Sequence, residues 1–118
     1  PFRMHSLTDS NAVISAIGND IGYENIFYSQ LQTQFKQGDC LIVISASGNS
    51  PNLVKAAKWV KNKKGRVFGL LGFDGGKLKK ICDDSIHVLT NKNEYGIVED
   101  SHLILNHIMA HWFQNKLK

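Results

Sequence analysis

The apolar positions change period several times along the chain, and each change marks an element. Residues 1–8 give only a weak strand signal. Asp9 or Ser10 can cap a short helix that runs to about Ile17. Gly18-Asn19-Asp20 then reads as a break. Ile26, Phe27, Leu31 and Phe35 recur at the spacing of one buried helix face, which predicts a helix over 23–35. After a turn at 37–39, residues 40–45 form a continuous apolar run, the pattern of a strand buried on both faces. Pro51 suits the first turn of a helix over 51–63, with Leu53, Val54, Ala57 and Val60 inward and Gly65 ending it. A second buried strand follows at 66–71, then a glycine loop at 72–76, a short helix at 77–81 and a third strand at 85–89. From about Glu94 or Gly96 to Leu117 a long helix carries Ile97, Val98, Ile104, Leu105, Ile108, Met109 and Trp112 on one side. Its Ile97/Ile104/Ile108 stripe is expected to meet the domain's own core.

Strands alternating with helices imply βαβ units, a parallel sheet and right-handed crossovers. The reading is one α/β domain over 1–118, of three-layer Rossmann-like type. Three or four strands are few for that class, and an N-terminal strand and helix would complete it. The 118 residues suit a single small core. The opening Pro-Phe-Arg-Met-His-Ser lacks the apolar stretch of a signal peptide and lacks an initiator Met, so the chain reads as a fragment or a processed product.

Composition adds limits. A hydrophobic share of 42% and a charged share of 20% are those of a globular protein. No apolar run approaches the ~20 residues of a membrane helix, and a cytoplasmic location is expected. The net charge of +4 comes from lysines at 61, 63 and 64, at 77, 79 and 80, and at 116 and 118. These read as solvated helix ends, because no aromatic residues interleave with them as a nucleic-acid platform would need. Cys40 and Cys82 lie in apolar contexts and read as buried reduced thiols, with no zinc-finger spacing.

Candidate chemistry concentrates in Ile44-Ser-Ala-Ser-Gly-Asn-Ser50. This loop leaves the carboxyl end of a buried parallel strand, where open α/β sheets bind ligands. A helix N-terminus follows, whose free N–H groups and dipole favour an anion. Gly48 lets the backbone come close, and Ser45, Ser47 and Ser50 add hydroxyl donors. The competing account is that Asn49 or Ser50 only caps the helix and the rest is turn chemistry. The loop is neither a Walker motif nor GxGxxG, and composition leaves the two accounts open.

The stretch Ile-Ser-Ala-Ser-Gly-Asn-Ser-Pro-Asn-Leu-Val-Lys-Ala resembles the phosphate loop of sugar isomerase (SIS) domains. Within that family the chain is similar to the phosphoheptose isomerases. The similarity is carried further by Ala16-Ile-Gly-Asn-Asp-Ile-Gly-Tyr-Glu-Asn-Ile-Phe27, by Gly72-Phe-Asp-Gly-Gly-Lys77 and by Glu99-Asp-Ser-His-Leu-Ile-Leu-Asn-His107. It spans nearly the whole chain but only about the last two thirds of such an enzyme.

The resemblance implies reversible aldose–ketose isomerisation of a seven-carbon sugar 7-phosphate, a reaction that feeds heptose into bacterial lipopolysaccharide or capsule. Ser45, Ala46, Ser47 and Ser50 match positions that hold the substrate phosphate, and Asn19 and Asp20 match positions that contact the sugar. His107 matches a catalytic base and zinc ligand. Glu99 matches a substrate and zinc position that is usually glutamine. Zinc is thus a possible cofactor by resemblance, and a homo-oligomer, a tetramer, with sites at subunit boundaries is implied. A histidine suits the proton transfer, which typically supplies ~10²–10⁴-fold. Three departures stand out. The upstream Asn-Gly-Gly-Ser loop and the upstream helix with a catalytic glutamate and a histidine ligand are absent from these residues. Ala46 replaces a common hydroxyl residue. Glu99 adds a negative charge. On an ideal helix Glu99 and His107 also lie ~12 Å apart along the axis and ~80° apart around it. The second reading is a non-catalytic phosphosugar-binding module or oligomeric adaptor. His102 and His111 read as surface or interface residues, and His87 as structural.

Overall fold

In the computed structural model, which describes residues 3–117, strands β1 (Cys40–Ser45), β2 (Arg66–Leu71) and β3 (Asp84–His87) form one parallel sheet in the order β1-β2-β3. Cys40 pairs with Arg66 and Ser45 with Leu71, so β1 and β2 end level. Phe68 pairs with Asp84 and Leu71 with His87. The loops at 45–50 and 72–76 therefore leave the same edge side by side. Helices α1 (Asn11–Asp20) and α2 (Tyr28–Gln34) precede the sheet, α3 (Pro51–Asn62) and α4 (Leu78–Ile81) make the crossovers, and α5 (Tyr95–Lys116) follows it. The expected order of strands and helices from residue 40 onward is observed, and β3 stops two residues short of the predicted 89.

The core lies between the sheet and α2, α3 and α4. Leu31, Val43, Ala56, Ala57, Val60, Val67, Leu71 and Leu78 form one buried cluster. Each large aliphatic side chain there contributes about 1.5–3 kcal/mol through burial. Trp59 on α3 packs edge-on against Tyr28 and Phe35. Gln30, buried on α2, donates to the carbonyls of Ile26 at 2.8 Å and Leu7 at 3.0 Å and so ties the leading segment to the core. No strand forms in residues 3–8. Residues 1 and 2 of that weak signal, and Lys118 of the terminal lysines, lie outside the described residues.

Several expectations are corrected. Gly18-Asn19-Asp20 does not break α1: Ser10 caps the helix by accepting from the Val13 N–H at 3.3 Å, and the helix runs through Asp20. The chain turns instead at Gly22, where φ is +101°. The predicted helix over 23–35 is split into a 3₁₀ turn, Tyr23–Asn25, and α2. At the end of α3 it is Lys64, with φ of +59°, that takes the left-handed conformation. Gly65 is small because Phe35 and Val60 close over it.

β1 is not buried on both faces. Val43 and Ser45 point into the core, whereas Ile42 and Ile44 on the other face are 44% and 58% exposed. Cys40 shares that outer face and is an exposed free thiol, contrary to the expectation of a buried one. The apolar run reflects a face suited to burial that this stretch of chain does not itself cover. Cys82 is half-buried, and burial pushes its thiol pKa up.

α5 departs most from expectation. Its inward residues are Val98 and His102, followed by half-buried Leu105 and Met109. Ile97, Ile104 and Ile108 are 56%, 59% and 59% exposed, so the predicted core stripe faces outward. The helix packs on the glycine loop through Tyr95 and Val98, which makes Val98 the inward position. His102, one turn on, is consequently buried and not a surface residue.

Asp83 joins the start of β2 to the turn before β3. Its carboxylate pairs with Lys61 and accepts from the Val67 N–H at 2.7 Å. The Lys61 hydrogen bond, then that of Val67, hold its pKa below the ordinary 3.8. A lowered folded pKa stabilises the fold above the unfolded value and loses that stabilisation as pH falls through the folded one. Asp83→Asn is expected to flatten the acid-unfolding profile between about pH 5 and pH 2. Circular dichroism across that range checks it, and an unchanged slope would remove Asp83 from the acid transition.

Candidate functional site

The serine loop is braced by internal bonds to its own hydroxyl oxygens. Ser45 is buried, and its Oγ accepts from the Gly48 N–H at 3.0 Å. Ser47 Oγ accepts from the Asn49 N–H at 3.2 Å. Each oxygen therefore serves as an acceptor within the loop, which leaves its own O–H free to donate. The N–H groups of Ala46, Ser47 and Ser50 make no hydrogen bond among the described residues. Ser50 occupies the N-cap position of α3 without a side-chain cap bond, and Pro51 at the first helical position has no N–H. Capping by Asn49 or Ser50 is thus not what the loop is for. The Asn49 side chain turns to the Ser47 carbonyl at 2.9 Å and to the Lys77 N–H at 3.1 Å.

That second bond belongs to a wider interlock with the glycine loop. The Gly48 carbonyl accepts from the Leu78 N–H at 2.9 Å. Gly48 has φ of +64°, and a Cβ placed there would sit 2.0 Å from the Gly75 carbonyl oxygen. Only glycine meets both demands. The glycine loop is held in turn by His87, whose Nε2 lies 2.9 Å from the Phe73 carbonyl and whose Nδ1 lies 3.0 Å from Lys79 Nζ. A carbonyl can only accept, so Nε2 carries the proton and Nδ1 accepts from the lysine. His87 is structural, as expected.

α5 docks on this same corner. Its Val98 packs on Gly72, where an added Cβ would meet Val98 Cγ1 at 2.5 Å and the Ala46 carbonyl at 2.8 Å. Phe73 and Tyr95 stack edge-on with ring centres 5.0 Å apart. Glu99, the next residue after Val98, is exposed at the loop end of α5. Asn19 and Asp20 are exposed at the end of α1, with Asn19 Nδ2 donating to Asp20 Oδ1 at 2.9 Å. The 3₁₀ turn after α1 packs against α3, and Lys55 on α3 donates to Asn25 at 2.6 Å.

The fold gathers Ser45, Ala46, Ser47 and Ser50 into one loop and brings the start of α5 beside them. It does not bring His107 there. His107 is exposed on a regular helix, about 14 Å along the axis from the docking residue Val98. Within one chain, Glu99 and His107 stand about two turns apart on the same helix. Both lie within α5, with no frayed start at Glu99 to bring them together. Among the described residues no three His, Cys, Asp or Glu side chains gather to hold a metal. Sequence reasoning missed the buried His102, whose Nε2 has no hydrogen-bond partner. It also missed the role of the glycine loop as the second wall of the site, although the Gly75-Gly76 pair was a visible sign of close backbone approach.

A parallel sheet whose first loop presents serine hydroxyls and free amides at a helix start, closed by a glycine loop, defines a SIS-type ligand corner. Residues 3–72 match the family model described as the SIS domain, and the chain belongs to that family. More particularly, its relatives are phosphoheptose isomerases. The enzyme of Aneurinibacillus thermoaerophilus is 40% identical over 105 residues, covering 89% of this chain and 52% of the relative. That of Aliarcobacter butzleri is 35% identical over 112 residues, covering 95% of this chain and 58% of the relative. The solved phosphoheptose isomerase of Neisseria gonorrhoeae superposes with a TM-score of 0.86 at 31% identity, over 94% of this chain and 61% of that one. The chain thus spans little more than half the length of the relatives it matches. No described helix is long and apolar enough to cross a membrane.

Gly48→Ala forces a strained φ and a backbone clash at once. It is expected to destabilise the chain by about 2–5 kcal/mol. Urea unfolding followed by tryptophan fluorescence checks it. A loss under about 0.5 kcal/mol, the scale of an ordinary surface substitution, would show that the two loops are not interlocked.

Proposed function

We propose that this chain supplies the phosphate-binding part of a sugar-phosphate aldose–ketose isomerase whose substrate is sedoheptulose 7-phosphate. The observation that supports it is the serine loop: three amides without a hydrogen bond among the described residues, beside serine hydroxyls, at an uncapped helix start. Ser45, Ser47, Ser50 and the Ala46 N–H hold the phosphate. This anion grip is made of neutral donors, which suit a phosphate at a helix N-terminus. Asn19 and Asp20 contact the sugar, and Glu99 reaches it from the start of α5. His107 moves the proton, taking it from the carbon beside the carbonyl and returning it to the neighbouring carbon. The neutral imidazole takes the proton and the imidazolium so formed returns it, while the hydroxyl proton passes between the two neighbouring oxygens. The product would be a heptose 7-phosphate, a precursor of surface polysaccharide, made in the cytoplasm.

His107 stands too far from its own chain's serine loop to act there, so it serves a loop on another copy. The outward side of α5 is suited to that assembly. Ile104, Ile108 and Trp112 are 59%, 59% and 54% exposed. Beside them an open groove of about 450 Å³ is lined by His107, Ile108, His111 and Trp112. Burying such side chains between copies contributes about 25 cal/mol per Å². A homotetramer fits the family resemblance. The same separation of His107 also favours the second reading, a module that binds a phosphosugar without turning it over.

An NMR titration with sedoheptulose 7-phosphate, with sulfate as control, is expected to move the amides of 45–50 more strongly for the sugar. In the longer, assembled enzyme, His107→Ala is expected to lower kcat by about 10²–10⁴. Sugar binding with unchanged turnover in that variant would sink the base assignment. Ile104→Glu combined with Ile108→Glu is expected to shift the assembled protein to smaller species in light scattering. An unchanged mass would place the interface elsewhere.

A further inference from the structure

On the outer side of α3, next to the serine loop, a depression of about 310 Å³ is lined by Asn49, Pro51, Val54, Lys55, Lys58 and Lys77. Pro51, Val54, Lys55 and Lys58 form one stripe of α3 at helical spacing. Lys77 arrives from the end of the glycine loop, and its backbone N–H is fixed by Asn49 Oδ1 at 3.1 Å. The interlock that shapes the serine loop therefore also fixes where the Lys77 backbone stands beside α3.

The three ammonium groups have little to balance them. Lys55 Nζ donates to Asn25 Oδ1 at 2.6 Å and lies 5.1 Å from the centre of the Tyr28 ring. An ammonium has three protons, so this leaves donors for a ligand. Glu24 reaches Lys55 only through the Asn25 amide, to which it bonds at 3.1 Å. Asp74 accepts from the Gly76 N–H at 3.0 Å. Among the described residues the ion pair is Lys61–Asp83, and Lys55, Lys58 and Lys77 pair with no carboxylate. Like charges around a concave surface repel one another and concentrate counter-ions. Pro51 and Val54 add an apolar wall that suits the carbon body of a ligand.

We propose that this depression is a second anion site, distinct from the Ser45–Ser50 donors, for a small molecule carrying a diphosphate group. Three cationic side chains match a diphosphate better than the single phosphate of a sugar monophosphate, which the neutral serine loop suits. The site stands on α3 and Lys77 whatever the serine loop binds.

The test is an NMR titration of the chain with inorganic pyrophosphate and, separately, inorganic phosphate, repeated on the Lys58→Gln/Lys77→Gln variant. Both side chains are exposed, so the variant keeps the fold, and its amide spectrum verifies this. Pyrophosphate is expected to move the amides of Val54, Lys55, Lys58 and Lys77 and to bind more tightly than phosphate. The variant is expected to weaken pyrophosphate by about tenfold or more. Shifts confined to 45–50, equal affinity for the two anions, or equal affinity in parent and variant would each overturn the proposal.

Discussion

The close approach of two backbones, Gly48 against Gly75, organises the ligand corner of this protein. Where two chains touch without side chains between them, hydrogen bonds can run directly from one loop to the other. The Gly48 carbonyl bonds the Leu78 N–H, and Asn49 bonds the Lys77 N–H. These contacts fix the serine loop from outside, while Ser45 and Ser47 brace it from inside. The amides of Gly48 and Asn49 are used up in that bracing. The Ala46, Ser47 and Ser50 N–H groups, which bond nothing among the described residues, are left on a braced loop, and such bracing is the preorganisation that the proposed anion site would use.

The same corner supports the other functional elements. Gly72 admits Val98, which seats α5 against the Ala46 carbonyl. The seat governs the rotation of the whole helix. With Val98 turned inward, Glu99 is exposed, His102 is buried, and Ile104 and Ile108 face out. The helix is rigid, so His107 is carried away from the loop that it would serve. The proposed assembly would place His107 against the Ser45–Ser50 loop of another copy and would cover the outward apolar side of α5.

Much of the fold was legible in the residues. The run at 40–45, the glycine and serine punctuation and the helical spacing of Leu53, Val54, Ala57 and Val60 each reflect short-range rules of backbone and side chain. The parallel sheet and the placement of the serine loop at a strand's carboxyl end followed from them. The resemblance to SIS domains rested on the same loop. Legibility failed where one pattern is compatible with two environments. An apolar stretch such as Ile42-Val43-Ile44 states what would be favourable to bury, and not what is available to cover it. The α5 stripe failed for the same reason, since Ile97/Ile104/Ile108 and Val98/His102/Leu105 are neighbouring faces of one helix.

The sequence by itself determined the order of strands and helices from residue 40 onward, the serine loop and the family, because these depend on local geometry and on residue types at fixed short spacing. Only the tertiary structure decided which face of α5 turns inward, that His102 is buried, and that Lys77 stands with Lys55 and Lys58 beside Asn49. It also decided that His107 lies far from the Ser45–Ser50 loop of its own chain. Those outcomes depend on contacts between residues distant in the chain, above all Gly48 with Gly75 and Gly72 with Val98: a glycine signals that something comes close, and no local pattern names what does.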